Sequence, residues 1–108
     1  MNINNMKMIA EHYGFNSQSR QLIEEMGELT SAINHHWRKD LQCGEKPFDK
    51  SNQSPEVKHM IEEIADVKLC LEQLIYLLDC TAKVDFLMDY KMSRQNFRIY
   101  GDKNEMPL

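Results

Sequence analysis

Two clusters of acidic residues have the composition and spacing of a metal-binding site. The first reads EEMGE at residues 24–28, and the second reads EEIAD at residues 62–66. On a helix, acids three or four positions apart lie on one side and cannot move away from one another. Two such arrays packed together concentrate negative charge, which is costly unless a cation is present. Carboxylate oxygens are the ligands that Mg²⁺ and Mn²⁺ prefer, so the clusters predict a divalent metal and, with it, phosphate chemistry.

The apolar residues around these clusters predict how the acids are arranged. If the apolar stripes of the two helices face each other, four acids lie along one edge of the contact: Glu25, Glu28, Glu63 and Asp66. Carboxylates from two antiparallel helices can bind two ions, which clamp a polyphosphate and lower the pKa of an attacking water. The alternative is that these acids form an ordinary solvated helix surface, where glutamate is common.

Helical periodicity runs through the chain, and no segment shows the alternation of a strand. We predict an all-α fold of four helices, over about residues 3–13, 17–39, 55–79 and 82–100. Gly14 is expected to end the first helix, and the second begins at Ser17 or Ser19. Ser54 has the character of an N-cap, and Pro55 suits the first position of the third helix.

The two long helices carry the expected core. On the second helix an apolar stripe has the spacing of a buried face and comprises Leu22, Met26, Leu29, Ile33 and Trp37. The third helix has a wider apolar face and is expected to be central. Together they offer more apolar surface than a small monomer can bury, so we expect a homo-oligomer.

Length and composition limit the possible classes of protein. The 108 residues suffice for one domain, which we take as residues 1–108, with a flexible loop expected at residues 40–53. The net charge of −4 argues against nonspecific nucleic-acid binding as the main role. The three cysteines lack paired metal spacing, and no apolar run approaches the roughly 20 residues of a membrane span. A cytoplasmic protein with no membrane or nucleic-acid partner is therefore expected.

The two acidic motifs resemble those of the MazG-type all-α nucleoside triphosphate pyrophosphohydrolases. The shared pattern is EExxE at residues 24–28, then a loop, then ExxD at residues 63–66, and the likeness covers about residues 17–98. This superfamily also contains the dimeric dUTPases, the dCTP pyrophosphatases and phosphoribosyl-ATP pyrophosphohydrolase. The resemblance implies a four-helix bundle completed by homo-oligomerisation. It also implies Mg²⁺-dependent cleavage of (deoxy)nucleoside triphosphates between the α- and β-phosphates, giving a monophosphate and pyrophosphate.

The resemblance also implies roles for individual acids. The positions that match the family's metal ligands are Glu25, Glu28, Glu63 and Asp66. Glu24 holds a further ion or orients the attacking water, so that Glu24 and Glu25 are the catalytic candidates. The family forms dimers, or tetramers built from dimers, whose substrate pockets often use both chains.

A basic stripe on the last predicted helix is the candidate phosphate-binding element. Lys91, Arg94 and Arg98 lie on one side of it and can meet triphosphate charge that metals leave uncancelled. The resemblance implies the same role, and Gln95 stands where some relatives have a substrate-binding Asn. The alternative is a solvated basic face near a helix C-terminus. Trp37 either stacks on the nucleobase or covers the core.

Other functions are compatible with these residues. A catalytically silent helical partner protein would keep the fold without turnover, and a narrow enzyme would act on dUTP or dCTP alone. A di-iron centre is disfavoured because Glu56 and His59 supply one ExxH unit and the sequence contains no second one.

Overall fold

Three long helices make up the part of the chain that the computed structural model describes, residues 1–39 and 47–101. They are α1 (Ile3–Lys39), α2 (Pro55–Leu77) and α3 (Thr81–Tyr100). The all-α prediction is confirmed, since these ranges contain no strand. The first two expected helices are both present, and they join across a non-helical residue, Gly14, into the single element α1. The expected four-helix bundle and its completion by a second copy are not confirmed.

A kink at Gly14 explains why one helix stands where two were predicted. Gly14 has φ 80° and ψ 170°, a conformation that is essentially restricted to glycine. The predicted interruption at this residue is confirmed, but the chain returns to helical geometry immediately afterwards. The segment before the kink contacts α2 through a hydrogen bond that the Tyr76 hydroxyl donates to the Glu11 carboxylate.

The start of α2 follows the sequence prediction. The Ser54 side chain accepts a hydrogen bond from the Val57 N–H at 3.2 Å, and Pro55 occupies the first turn. Just before it, the Asp49 carboxylate accepts a 2.9 Å hydrogen bond from the Ser51 N–H, which forms a tight turn. The rest of the predicted loop, residues 40–46, lies outside the described residues.

A hydrogen-bonded reversal ends α2 and leads into α3. The Cys80 N–H donates to the Ile75 carbonyl at 3.2 Å, and the Asp79 N–H donates to the Tyr76 carbonyl at 3.0 Å. Asp79 has φ 50°, the left-handed conformation that the position after a helix favours. The end of α2 at Leu77 lies within two residues of the predicted end.

The main helix contact is the antiparallel packing of α1 against α2. At one point along it Gln18 donates a 2.6 Å hydrogen bond to the Gln73 side-chain oxygen, and both amides are buried. Near the other end Lys39 Nζ lies 3.7 Å from Glu56 Oε1. Residue numbers increase in opposite directions along the two helices, so the middle of α1 lies against the first half of α2.

The buried face of α1 differs from the predicted one. Leu22 is buried and Leu29 half-buried, whereas Met26, Ile33 and Trp37 are exposed. The buried residues of α1 are Met6, Ala10, Gln18, Leu22, Ala32 and His36. The prediction is wrong for three of five positions, because beyond Leu22 the buried residues of α1 are Ala32 and His36. The larger apolar ones remain at the edge of the contact.

The third helix packs weakly on the rest of the chain. It contains no buried residue and contacts α2 at few points. The chain exposes 8996 Å² of surface, whereas a compact monomer of this length exposes about 6,300 Å². Its radius of gyration is 17.7 Å, against about 13 Å for a compact chain of this length. Much apolar surface on α2 and α3 is therefore uncovered.

Candidate metal centre

The packing of α1 against α2 brings three carboxylates together. Glu25 and Glu28 lie one turn apart on α1, and Glu63 faces them from α2. Each offers an oxygen atom, and these atoms all lie within 4.8 Å of one another. Two oxygens bound to one ion are at most about 4.2 Å apart for Mg²⁺ and about 5.2 Å apart for Ca²⁺, so these atoms can share one cation after at most a small movement. We call these three residues the acidic triad.

Two of the triad's carboxylates are shielded from water and incompletely hydrogen-bonded. Glu63 is 8% exposed, and Glu25 is half-buried. The Oε2 atom of each is buried and has no hydrogen-bond partner within the described parts of the chain. A buried carboxylate oxygen without a partner is costly, and a second carboxylate nearby increases the cost. A divalent cation would supply the missing partner to both atoms, so the residues fit such an ion.

A side chain on the same helix lies near one oxygen of each of these two acids. Gln21 donates a 2.7 Å hydrogen bond to Glu25 Oε1 from one turn earlier on α1. His59 Nε2 lies 3.8 Å from Glu63 Oε1, one turn earlier on α2. In each acid one oxygen therefore has a neighbour on its own helix, and the other oxygen is left available.

The negative charge of nearby acids affects the pKa of a buried thiol, Cys70. Burial raises the pKa of Cys70, and the nearby charges of Glu25 and Asp66 raise it further. Cys70 lies two turns beyond Glu63 on α2 and is 7% exposed. The thiol is therefore held in its neutral form beside the acids.

An open cavity of about 620 Å³ lies beside the triad and is lined by two of its members, Glu28 and Glu63. Its lining residues are Glu24, Gly27, Glu28, Ser31, His59 and Glu63. A second cavity of about 360 Å³ shares Ser31 and His59 with the first, and its other lining residues are Ala32, Asn34, His35 and Arg38. The two cavities therefore adjoin along α1, and we call them together the trough. Its acidic end holds the triad, and its far end holds Arg38.

The acids predicted from sequence do not all join the triad. Asp66 lies one turn beyond Glu63 but is exposed, and it is not among the clustered carboxylates. Glu24 is exposed and lines the trough beside Glu28. The structure therefore brings together three of the four predicted ligands.

The predicted substrate-binding residues lie away from the trough of their own chain. The four on α3, all exposed, are Lys91, Arg94, Gln95 and Arg98. None of them lines the trough, and Arg94 instead lies over the Tyr90 ring at 6.0 Å. Trp37 is nine positions after Glu28, which places it on roughly the opposite side of the helix. It lines a separate apolar cavity of about 510 Å³, together with Ile61 and Ile64.

Sequence reasoning missed the residues that extend the trough. Ser31, His35 and Arg38 follow Glu24 and Glu28 at helical spacing on one side of α1. That spacing predicts a shared helix face. The phosphate-binding role was instead assigned to the basic stripe on the last predicted helix. The buried Gln18–Gln73 pair was also missed, because a lone glutamine on an amphipathic helix carries no signal of burial.

Comparison with protein-family models, with curated proteins and with solved structures gave no match. The resemblance of the two acidic motifs to the MazG-type enzymes therefore stays a prediction from sequence. Among the described residues no helix has the length and apolar character needed to cross a membrane.

Proposed function

We propose that this protein is a metal-dependent hydrolase of (deoxy)nucleoside triphosphates that releases a monophosphate and pyrophosphate. The observation that supports this proposal best is the acidic triad, with its two buried and unpartnered oxygens. Acids arranged this way on two packed helices suit Mg²⁺, with Mn²⁺ as a substitute, and bound Mg²⁺ in turn suits polyphosphates. The MazG-type resemblance of the same acids supports the same assignment.

The proposed reaction is a hydrolysis at the α-phosphate. Water attacks the α-phosphorus, the bond between that phosphorus and the oxygen bridging to the β-phosphate breaks, and pyrophosphate leaves with the electron pair. A divalent cation in the triad would neutralise phosphate charge and lower the pKa of water. Glu24 faces the trough without being part of the triad, so it is the side chain best placed to accept the water's proton.

The proposal includes a homo-oligomer, either a dimer or a tetramer. The accessible surface of the chain exceeds that of a compact monomer of the same length by about 2,700 Å². Obligate homodimers bury about 2,000–5,000 Å² counted over both chains, or about 1,000–2,500 Å² per chain, so a second copy can cover much of this excess. The exposed apolar residues available for this contact include Ile61, Ile64, Leu71, Leu78, Phe86 and Phe97. In such an assembly α3 of one copy can bring Lys91, Arg94 and Arg98 to the partner's trough.

Pyrophosphate release from a panel of nucleoside and deoxynucleoside triphosphates tests the activity. The panel is run with Mg²⁺, with Mn²⁺ and with a chelator, and the monophosphate is measured in parallel. Glu28→Gln removes an exposed triad carboxylate, and Glu62→Gln makes the same change at an exposed acid outside the triad. We expect turnover to be lost in Glu28→Gln and kept in Glu62→Gln, because only the first change removes a metal ligand.

The panel also separates the proposed function from its alternatives. Turnover of dUTP or dCTP alone would identify a narrow enzyme. Retention of full turnover by Glu28→Gln would contradict the assigned metal centre. Absence of turnover with every nucleotide, in a sample shown to be oligomeric, would favour a silent partner protein.

A further inference from the structure

We infer that the far end of the trough is a binding subsite for the distal, β- and γ-, phosphates of the substrate. This inference rests on the proposed function, because it assumes that a polyphosphate is held at the acidic triad. It assigns phosphate binding to the α1–α2 pair itself, in addition to the basic stripe on α3. The residues that carry it are Ser31, His35 and Arg38 on α1 and His59 on α2.

The order of side chains along the trough matches a polyphosphate bound lengthwise. Ser31 and His59 line both cavities, so they stand where the acidic end passes into the far end. His35 comes one turn later along α1, and Arg38 follows within another turn. A phosphate chain that begins at the triad and runs along α1 therefore leaves the carboxylates and meets hydrogen-bond donors.

These donors have the chemistry that a phosphate tail requires. The Arg38 guanidinium is permanently charged, and its fork of N–H groups can bind two phosphate oxygens at once. Each neutral imidazole carries one N–H donor, and the Ser31 hydroxyl adds another. Arg38 forms no salt bridge with any residue in the ranges 1–39 and 47–101, whereas the adjacent Lys39 lies 3.7 Å from Glu56. Among the described residues, no carboxylate therefore pairs with the guanidinium at the far end of the trough.

Gly27 provides an independent indication that the trough holds a ligand. It lies inside α1 and lines the trough beside the triad. Glycine in a helix interior is destabilising by roughly 0.5–1 kcal/mol relative to alanine. A Cβ added at Gly27 would meet no atom within 4 Å, so packing within this chain does not require glycine. The missing side chain keeps the wall of the trough clear for a group from outside the chain.

Binding of inorganic pyrophosphate tests the subsite without depending on turnover. Titration calorimetry in the presence of Mg²⁺ is carried out on the full chain and on Arg38→Gln. Lys83→Gln serves as a control with the same loss of charge at an exposed residue outside the trough. We expect Arg38→Gln to weaken pyrophosphate binding about tenfold or more, since hydrogen bonds to charged groups are among the stronger ones. Binding of a deoxynucleoside monophosphate, which has no distal phosphates, should be little changed.

A change at Gly27 gives a second measurement. Gly27→Ala is expected to raise the thermal midpoint, because alanine favours the helix, and to weaken pyrophosphate binding, because the new methyl group narrows the trough. If Gly27→Ala instead lowered the oligomer's stability and left pyrophosphate binding unchanged, the glycine would serve an interface and the inference would lose this support.

The outcomes distinguish failure of the subsite from failure of the proposed reaction. Equal pyrophosphate affinity in the wild type and Arg38→Gln, with nucleotide hydrolysis intact, would overturn the subsite alone. Equal weakening of monophosphate and pyrophosphate binding would also overturn it, because the effect would then be general attraction. Arg38-dependent binding of pyrophosphate without hydrolysis of any nucleotide would support the subsite and refute the hydrolase.

Discussion

The Gln18 side-chain amide donates a 2.6 Å hydrogen bond to the side-chain oxygen of Gln73, across the buried contact between α1 and α2. Gln18 lies two turns before Glu25 on α1, and Gln73 lies about three turns after Glu63 on α2. Because the helices are antiparallel, this pair marks one fixed point of the displacement of α1 along α2. Glu28 lies ten residues after Gln18 and Glu63 lies ten residues before Gln73, so this register places Glu28 level with Glu63, with Glu25 one turn away.

Breaking this amide pair should destabilise the helix contact. Gln73→Leu leaves the Gln18 amide buried without its partner, and we expect it to lower the free energy of unfolding by about 1–3 kcal/mol. The double variant Gln18→Leu/Gln73→Leu removes both amides and should recover much of that loss. Urea unfolding of the two single variants and the double variant measures the coupling. Additive losses in the double variant would show that the hydrogen bond contributes nothing to stability.

Neutralising the buried acid should have opposite effects with and without metal. Glu63→Gln removes repulsion between neighbouring carboxylates, so the metal-free protein should melt at a higher temperature than the wild type. It also removes a ligand, so the rise in thermal midpoint that saturating Mg²⁺ gives the wild type should disappear. At a concentration of 100 times Kd that stabilisation is about 2.7 kcal/mol. The neighbouring Glu62→Gln is the control and should keep the rise in thermal midpoint with Mg²⁺. If Glu63→Gln showed the same rise, the triad would be excluded as the metal site.

The raised pKa of Cys70 predicts a loss of stability at alkaline pH. Burial, with Glu25 and Asp66, holds the pKa of this thiol above its ordinary value of 9.0. As the pH passes 9, the unfolded chain loses this proton while the native protein keeps it, so the free energy of unfolding falls until the native pKa is reached. Below that window both states are protonated and the contribution is constant.

Urea unfolding on either side of this window measures the effect. Cys70→Ala should show a smaller fall in stability from about pH 8.5 to 9.5 than the wild type, because it lacks the titrating group. Cys80→Ala is the control and should behave like the wild type. An identical fall in all three proteins would mean that Cys70 has no shifted pKa.

The uncovered apolar face should control the oligomeric state. Ile61 is 60% exposed and lines the apolar cavity beside Trp37. Ile61→Arg places a charge on this face, and we expect it to shift the protein toward smaller species and to lower the thermal midpoint at a given concentration. Sedimentation velocity over a range of concentrations measures the distribution. Monomeric wild-type protein at high concentration would refute the proposed oligomer, and an unchanged distribution in Ile61→Arg would exclude this face.

Local features of the fold were predictable because they depend on neighbouring residues. The Ser54 cap and Pro55 define the start of α2 through contacts within one helical turn. Gly14 was recognisable as an interruption because few other residues adopt its conformation. Whether the chain then begins a separate helix or continues after a kink depends on packing against α2, which the local sequence does not specify.

The sequence by itself determined the helical character of the chain, the cap at the start of α2, and the placement of acids one turn apart on two helices. These follow from hydrogen bonding and spacing within each segment. Only the tertiary structure decided that Gln18 and Gln73 meet, that Glu63 is buried against Glu25, and that Asp66 and the α3 cations stay outside the trough. The reason is that rotation and displacement of one helix against another depend on the sum of many side-chain contacts, and these join residues tens of positions apart.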